Sequence, residues 1–343
     1  MNVLEILNTI RDNATTEYQE RIPEATRTNI EEIGALMLDG DNVQVANEFM
    51  NTLLNKLVKS VVHTKRFENP LKTLKKGKKP VGDTIEEIYH NFIKGVKPDA
   101  ISSDLLQRHL PDTKTVYHRK NYENQYPITV DRKRLAKAFM SIDALDSYIT
   151  GLINTLYNSA ELDEFANTKQ LIATAIKKGA IKTVDIADPL ASESNAKEFI
   201  KTVKGVSGMM CFPSKDWNGY LTAQSKDTKA ITTFSRKNEQ VLIIDTMTDV
   251  SVAVDVLASA FNMSVADFND TAKIVIDAFP TSTKGSIRAM LCDKEFFQIF
   301  DDFYAITEFF NGKGVYTNYY LNVDQTFAYS PLVNAVAFVV PTA

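Results

Sequence analysis

Cysteine is nearly absent. Cys211 and Cys292 are the only two in 343 residues, and so few, so far apart, exclude a disulfide framework and point to a reducing compartment. No apolar run approaches the ~20 residues that span a bilayer; the longest, Asn334 to Val340, has the length of a buried strand. The start, Met1-Asn2-Val3-Leu4-Glu5-Ile6, has neither the basic stretch nor the apolar run of a signal peptide. The chain is therefore expected to stay soluble in the cytoplasm where it is made, with no membrane partner. Histidine is scarce as well. His63, His90, His109 and His118 never fall at His-x-x-x-His spacing, and the cysteines do not form Cys-x-x-Cys, so no metal is expected. Glycine-rich phosphate loops are missing, and Gly205-Val206-Ser207-Gly208 does not meet Gly-x-Ser-x-Gly. No cofactor and no catalytic residue is expected.

What is present suits a globular protein. Apolar residues make up 44% and charged residues 24%, with a net charge of -4, which is no basic signature of a nucleic-acid binder. Residues 1–60 read as amphipathic helices, with apolar series through Val3, Leu4, Ile6, Leu7 and Ile10, then Ile30, Ile33, Leu36 and Met37, then Val45, Phe49, Leu53, Leu54, Leu57 and Val58. Residues 61–130 differ: they hold Pro70, Pro80, Pro98, Pro111 and Pro127 among short Tyr, Thr, Val and Ile groups. Such a stretch reads as an extended β-excursion leaving the body. From 142 to 178 an apolar stripe through Leu145, Ile149, Leu152, Ile153, Leu156 and Tyr157, continued by Leu162, Phe165, Leu171, Ile172 and Ile176, predicts one long helix. Ser141 or Asp143 caps its start and Gly179 its end. Unbroken, it runs about 54 Å at ~1.5 Å per residue.

Residues 183–290 alternate helix and strand. Ser194 to Val203 and Val252 to Phe261 read as helices; Val241 to Ile244, Lys273 to Ile276 and Ile287 to Leu291 read as strands. The end is aromatic and β-branched, with strands expected around Phe303 to Ile306, Val315-Tyr316, Tyr319 to Leu321 and Val336 to Val339, and a turn at Asn311-Gly312-Lys313-Gly314. Residues 183–290 read as an α+β or α/β unit.

One charge run stands out. Lys56, Lys59, Lys65, Arg66, Lys72, Lys75, Lys76, Lys78 and Lys79 face a single acid, Glu68. A loop tip that docks on an acidic neighbour, a solvated loop, and a phosphate-binding tract are all open, although Phe67 alone offers a base-stacking ring. The acid pairs Glu31-Glu32, Glu86-Glu87 and Asp301-Asp302 read as solvated surface, because adjacent side chains diverge. Trp217 reads as a core anchor.

A set of tracts carries a resemblance. Asn69-Pro70-Leu71-Lys72 leads into Lys75-Lys76-Gly77 and Gly82-Asp83-Thr84-Ile85-Glu86-Glu87-Ile88-Tyr89. Ile153-Asn154, Tyr157-Asn158-Ser159-Ala160-Glu161-Leu162-Asp163-Glu164 and Asp216-Trp217-Asn218 follow. Then come Asp255-Val256-Leu257-Ala258, Ala260-Phe261-Asn262-Met263, Asp293-Lys294, Asn318-Tyr319-Tyr320-Leu321 and Asn334-Ala335-Val336-Ala337-Phe338-Val339. In this order, over roughly residues 60 to 343, they resemble the major head protein of small protein-primed, short-tailed bacteriophages, the salasmavirus type.

The resemblance implies the Hong Kong 97-like capsid fold: an N-terminal arm and helices (1–60), an extended β-loop (61–130), a peripheral domain with a spine helix (131–182), an axial domain (183–290) and return strands of the peripheral domain (291–343). An immunoglobulin-like C-terminal domain found in some relatives is not expected here. The implied function is a self-assembling shell of hexamers and pentamers around double-stranded DNA, located in the virion. The implied partners are other copies of the chain, a scaffolding protein, a portal or connector, and packaged DNA held without sequence specificity. Lys65, Arg66, Lys72, Lys75, Lys76, Lys78 and Lys79 are the expected inter-subunit contacts, reaching across a neighbour. A Lys–Asn cross-link occurs in some proteins of this fold; Lys residues are plentiful in the loop and Asn334 lies near the end, but nothing in the sequence fixes their geometry and the bond is not expected here. An enzyme with a site assembled within 183–290 and a tail or connector protein are the rival readings.

Overall fold

The computed structural model describes residues 3–38, 43–57, 67–79, 84–93, 95, 108–223, 229–255, 272–280 and 282–342. The chain divides into two compact units. The first comprises Met1–Asn69, Tyr122–Glu164 and Asp301–Gln325; the second comprises Pro70–Asn121, Phe165–Phe300 and Thr326–Ala343.

The first unit is built on amphipathic helices. α1 (Val3–Asp12), α2 (Thr16–Arg21), α3 (Ile30–Leu38) and α4 (Val43–Leu57) precede α5 (Arg132–Ala138) and the start of α6 (Ile142–Lys177). The apolar series read from the sequence converge in one core, where Ile10, Phe49, Leu145 and Leu321 are fully buried. β4 (Tyr122–Asp131) pairs antiparallel with β10 (Tyr316–Tyr329) from Asp131 opposite Tyr316 to Tyr122 opposite Gln325. β4 thus belongs to this unit and not to the excursion that the sequence extends to residue 130. A polar clasp ties β4 to α6: the hydroxyls of Tyr126 and Tyr122 donate to Asp163 at 2.7 and 3.3 Å. Burial pushes the Tyr126 phenol well above its ordinary range.

α6 is one helix of 36 residues. Residues 142–164 count with the first unit and 165–177 with the second. Ser141 Oγ accepts from the Ala144 N–H at 3.1 Å, the N-cap read from the sequence. At the other end Gly179 takes φ +73°, the Gly179 N–H bonds to Ile176 O and the Ala180 N–H to Ala175 O. This pair of bonds is a Schellman motif, and its left-handed residue is the reason a glycine stands there.

The second unit centres on a five-stranded sheet in the order β5 (Lys182–Asp185), β11 (Ala335–Val340), β8 (Ser286–Asp293), β6 (Gln240–Asp245), β7 (Ala272–Ile276). β11 runs parallel to β5 and antiparallel to β8. β6 is buried throughout and β11 is buried from Ala335 to Val339, which accounts for their continuous apolar runs. α7 (Glu193–Met210) and α9 (Thr246–Asp255) cover the sheet, with Phe199, Ile200, Val203 and Val206 in the core. Trp217 is half-buried against that core. The expected return strands therefore divide: β9 (Phe297–Asn311) and β10 reach the first unit, whereas β11 completes this sheet. β11 is apolar on both faces, so it needs a covered interior position. A further four-stranded sheet has the order β1 (Lys75–Lys78), β9, β10, β4.

Candidate assembly surfaces

From Pro70 to Lys78 the basic tract is not a loop tip. Pro70–Leu74 forms a short 3₁₀ turn anchored by buried Leu71 and Leu74, and Lys75, Lys76 and Lys78 stand on strand β1. Lys76 forms an ion pair with Glu295, and Lys72, Lys75 and Lys79 also have interaction partners within the chain. Lys78 is exposed. Lys65 and Arg66 lie outside the described residues, as does His63. A short strand of lysines carries no apolar alternation, so no local pattern announces that the tract is tied into a sheet.

The excursion is a two-stranded hairpin, β2 (Thr84–His90) against β3 (Thr113–Arg119), with Ile85 opposite His118 and Tyr89 opposite Lys114. Its alternation gives it two unlike faces. The inner face rests on its own unit. Val116 packs with Tyr220, Ile231 and Leu332, the Tyr89 hydroxyl donates to Thr232 O, and Asn91 exchanges bonds of 3.2 Å with Ala230 O and the Thr232 N–H. His118 Nε2 lies 2.8 Å from Glu87 Oε2, and the buried Lys114 pairs with Asp112 at 3.3 Å. The hydrogen bond from Asn91, with the Lys114 charge, holds the Asp112 carboxyl below its ordinary range. The expected departure of this whole region from its own body is thus limited to one face.

The outer face is open. Ile88 is 56% and Tyr117 62% exposed, and beyond the paired strands Ile93 and Leu110 are 72% and 83% exposed. Arg108, His109 and Arg119 are exposed around them. Phe92 is exposed yet stacks on Phe234, with ring centres 6.4 Å apart. A second apolar surface lies on β9, where Phe303 and Phe309 are 50% and 64% exposed. The turn after it is built by Asn311, whose Oδ1 accepts the Lys313 and Gly314 N–H groups at 3.1 Å.

Among the described residues, no three of His, Cys, Asp and Glu gather as metal ligands. Cys292 is buried, and burial followed by the Asp293 charge raises its thiol pKa strongly, which keeps it protonated. Cys211 Sγ donates to Ser207 O at 3.4 Å. Asn334 is fully buried, with its Oδ1 accepting from Thr233 and its Nδ2 donating to Ser235. That environment shields its amide carbon from an incoming lysine and speaks against the cross-link. In the first unit a cleft of about 700 Å³ between the starts of α3 and α6 is lined by Arg27, Thr28, Ile30, Glu31, Met140, Ser141 and Asp143.

The comparisons with known proteins agree with one another. The chain is 35% identical to the major capsid protein of Bacillus phage PZA over 339 residues, which covers 98% of this chain and 72% of that one. It is 34% identical to the major capsid protein of Bacillus phage B103 over a similar span. In structure it resembles the capsid of Staphylococcus phage Andhra with a TM-score of 0.64 at 14% identity, covering 82% of this chain and 87% of that one. This likeness shows the Hong Kong 97-like α+β capsid fold. The sequence profile of one family matches residues 7–339, nearly the whole of both units, and the chain therefore belongs to the Phi29-like phage major capsid protein family.

Proposed function

We propose that copies of this chain join as hexamers and pentamers that close into an icosahedral head around double-stranded DNA. The observation that carries the reading is the exposure of Ile88, Tyr117, Ile93 and Leu110 on and beside the hairpin's outer face. Exposed apolar groups gathered in this way mark interaction sites, and a chain of a capsid family meets copies of itself. The basic residues Lys65, Arg66, Lys72, Lys75, Lys76, Lys78 and Lys79 are proposed to add further contacts to the neighbouring copy. Each pairwise contact is modest, and closure of a symmetric shell multiplies it.

The chain works as a structural subunit and not as an enzyme. Its remaining partners are a scaffolding protein, a portal ring, and packaged DNA against the inner wall. A net charge of -4 suits a wall that does not grip DNA. Assembly takes place in the host cytoplasm, and the product is the virion head. Electron microscopy of assemblies from the purified chain is expected to show closed shells or capsomers. Tubes, isolated rings of another symmetry, or monomers at high concentration would count against the reading.

A further inference from the structure

The chain holds two Asn-Gly pairs, Asn218-Gly219 and Asn311-Gly312, and the fold places them in opposite settings. Asn218 is buried, with its Nδ2 donating to Ile231 O and Thr233 Oγ1. A Cβ on Gly219 would collide with the Ala180 backbone, so close packing is the reason for a glycine there. Asn311-Gly312 opens the turn between β9 and β10, where Gly312, Lys313 and Gly314 are exposed. Gly312 does not take a left-handed φ, and a Cβ on it would meet only Phe310, at an ordinary 3.6 Å. Neither backbone conformation nor space demands that glycine.

What the glycine removes is shielding. A side chain at 312 would crowd the backbone nitrogen that follows the Asn311 amide, and glycine leaves that nitrogen open. The Asn311 side chain is in turn held as a reaction centre. Its Oδ1 accepts the Lys313 and Gly314 N–H groups, each at 3.1 Å. Two donors on a carbonyl oxygen stabilise the negative charge it takes up when its carbon is attacked. Its Nδ2 donates to the Tyr316 hydroxyl at 2.8 Å. Once the amide carbon is tetrahedral this nitrogen has a lone pair, and the phenol O–H can turn to protonate it, as a leaving amine requires. The turn is strained as well. Val315 stands at φ +54°, a conformation that β-branched residues rarely adopt, and strain of this kind is released when the backbone around it is remade.

We infer that Asn311 is a self-modification site. Hydroxide takes the Gly312 amide proton, and the nitrogen attacks Asn311 Cγ while Oδ1 takes the charge. The Cγ–Nδ2 bond then breaks, Nδ2 leaves as ammonia with the Tyr316 proton, and a succinimide ring is closed. The phenolate recovers a proton from water, which regenerates hydroxide. One further water opens the ring at either carbonyl, giving aspartate or isoaspartate. Each copy thereby gains one negative charge at an exposed turn, and the isoaspartyl product adds a backbone atom that lets Val315 relax. The change runs one way, so it marks the age of a chain. It takes place within one copy and does not depend on the proposed shell function.

The test is peptide mass spectrometry of the folded chain aged in water enriched in heavy oxygen, with an unaged sample as background. The Asn311 peptide is expected to exchange its amide for a labelled carboxyl, in aspartyl and isoaspartyl forms, about tenfold or more faster than the Asn218 peptide. In the chain unfolded by urea, Asn311 is expected to react more slowly than in the folded chain and Asn218 faster. Tyr316→Phe is expected to slow the folded reaction about tenfold or more, whereas a hydroxyl that merely clamps the side chain would speed it on removal. Gly312→Ala, which the space around it accepts, is expected to slow the reaction too. The inference falls if folded Asn311 reacts no faster than Asn218 or no faster than in urea. It falls equally if Tyr316→Phe leaves the rate unchanged or raises it. Should Tyr316→Phe fail to fold, the wild-type comparison of folded and unfolded chain decides.

Discussion

Phe338→Ala is expected to destabilise the second unit by about 3–5 kcal/mol, the range for removing a fully buried aromatic ring. Phe338 is 0% exposed on β11, the strand between β5 and β8. Its ring meets Phe199 of α7 edge to face, with centres 6.0 Å apart and planes at 88°, a geometry that adds about 0.5–1.5 kcal/mol to the burial. The strands on either side are held through registered pairs, Val184 on one flank and Ala289 on the other, so the backbone cannot collapse into the vacated space. The loss should appear as a lower urea midpoint, followed by aggregation of the unassembled chain as the sheet opens. Phe309→Ala is the matched control: its ring is 64% exposed, and its removal should move the midpoint by less than about 0.5 kcal/mol. Equal midpoints for the two variants would show that β11 is not the centre of this unit.

The parts of the fold that were legible in the sequence are those decided locally. The stripe from Leu145 to Ile176 marks α6 because packing on one side demands helical spacing, and Ser141 and Gly179 mark its ends because caps act within a turn. Asn311 to Gly314 is legible for the same reason. α7 outruns its expected end at Val203 and continues to Met210. Gly205 and Gly208 cost the helix about 1 kcal/mol each, but Val206 and Met210 are buried and hold the last turns in place. α9 begins at Thr246, before the expected Val252, because Asp245 accepts both the Thr248 N–H at 2.7 Å and its hydroxyl at 2.8 Å. The remainder of that expected helix, 256–261, lies outside the described residues.

The proposed contact surface is legible as chemistry and not as place. The density of lysines between 65 and 79 is visible in the sequence, but Lys76 meets Glu295 across 219 positions, and no local pattern announces that. The hairpin's alternation is likewise visible, yet which face is covered depends on Tyr220, Ile231 and Leu332, all distant in sequence. The partners of β11 are set in the same way, by pairing across long stretches of chain.

Asn334→Ala is expected to cost about 2–4 kcal/mol, because it unmakes a buried polar network instead of one bond. Asn218 Nδ2 donates to Ile231 O at 3.2 Å and to Thr233 Oγ1 at 3.1 Å, the Thr233 hydroxyl donates to Asn334 Oδ1, and Asn334 Nδ2 donates to Ser235 Oγ at 3.2 Å. All four side chains are at most 5% exposed, so water cannot replace the lost amide without opening the unit. Ser235 in turn steadies Asp293, whose carboxyl burial pushes above its ordinary range against that hydrogen bond. Thr233→Val should cost a similar amount, and the double variant less than the sum, since both remove the same bond. A full sum would mean the two side chains act separately. The same burial bears on covalent chemistry: assembled wild-type shells should run as a single monomer band on a denaturing gel. A ladder of multimers that Asn334→Ala abolishes would show that the amide comes to the surface during assembly and that the network is only its resting state.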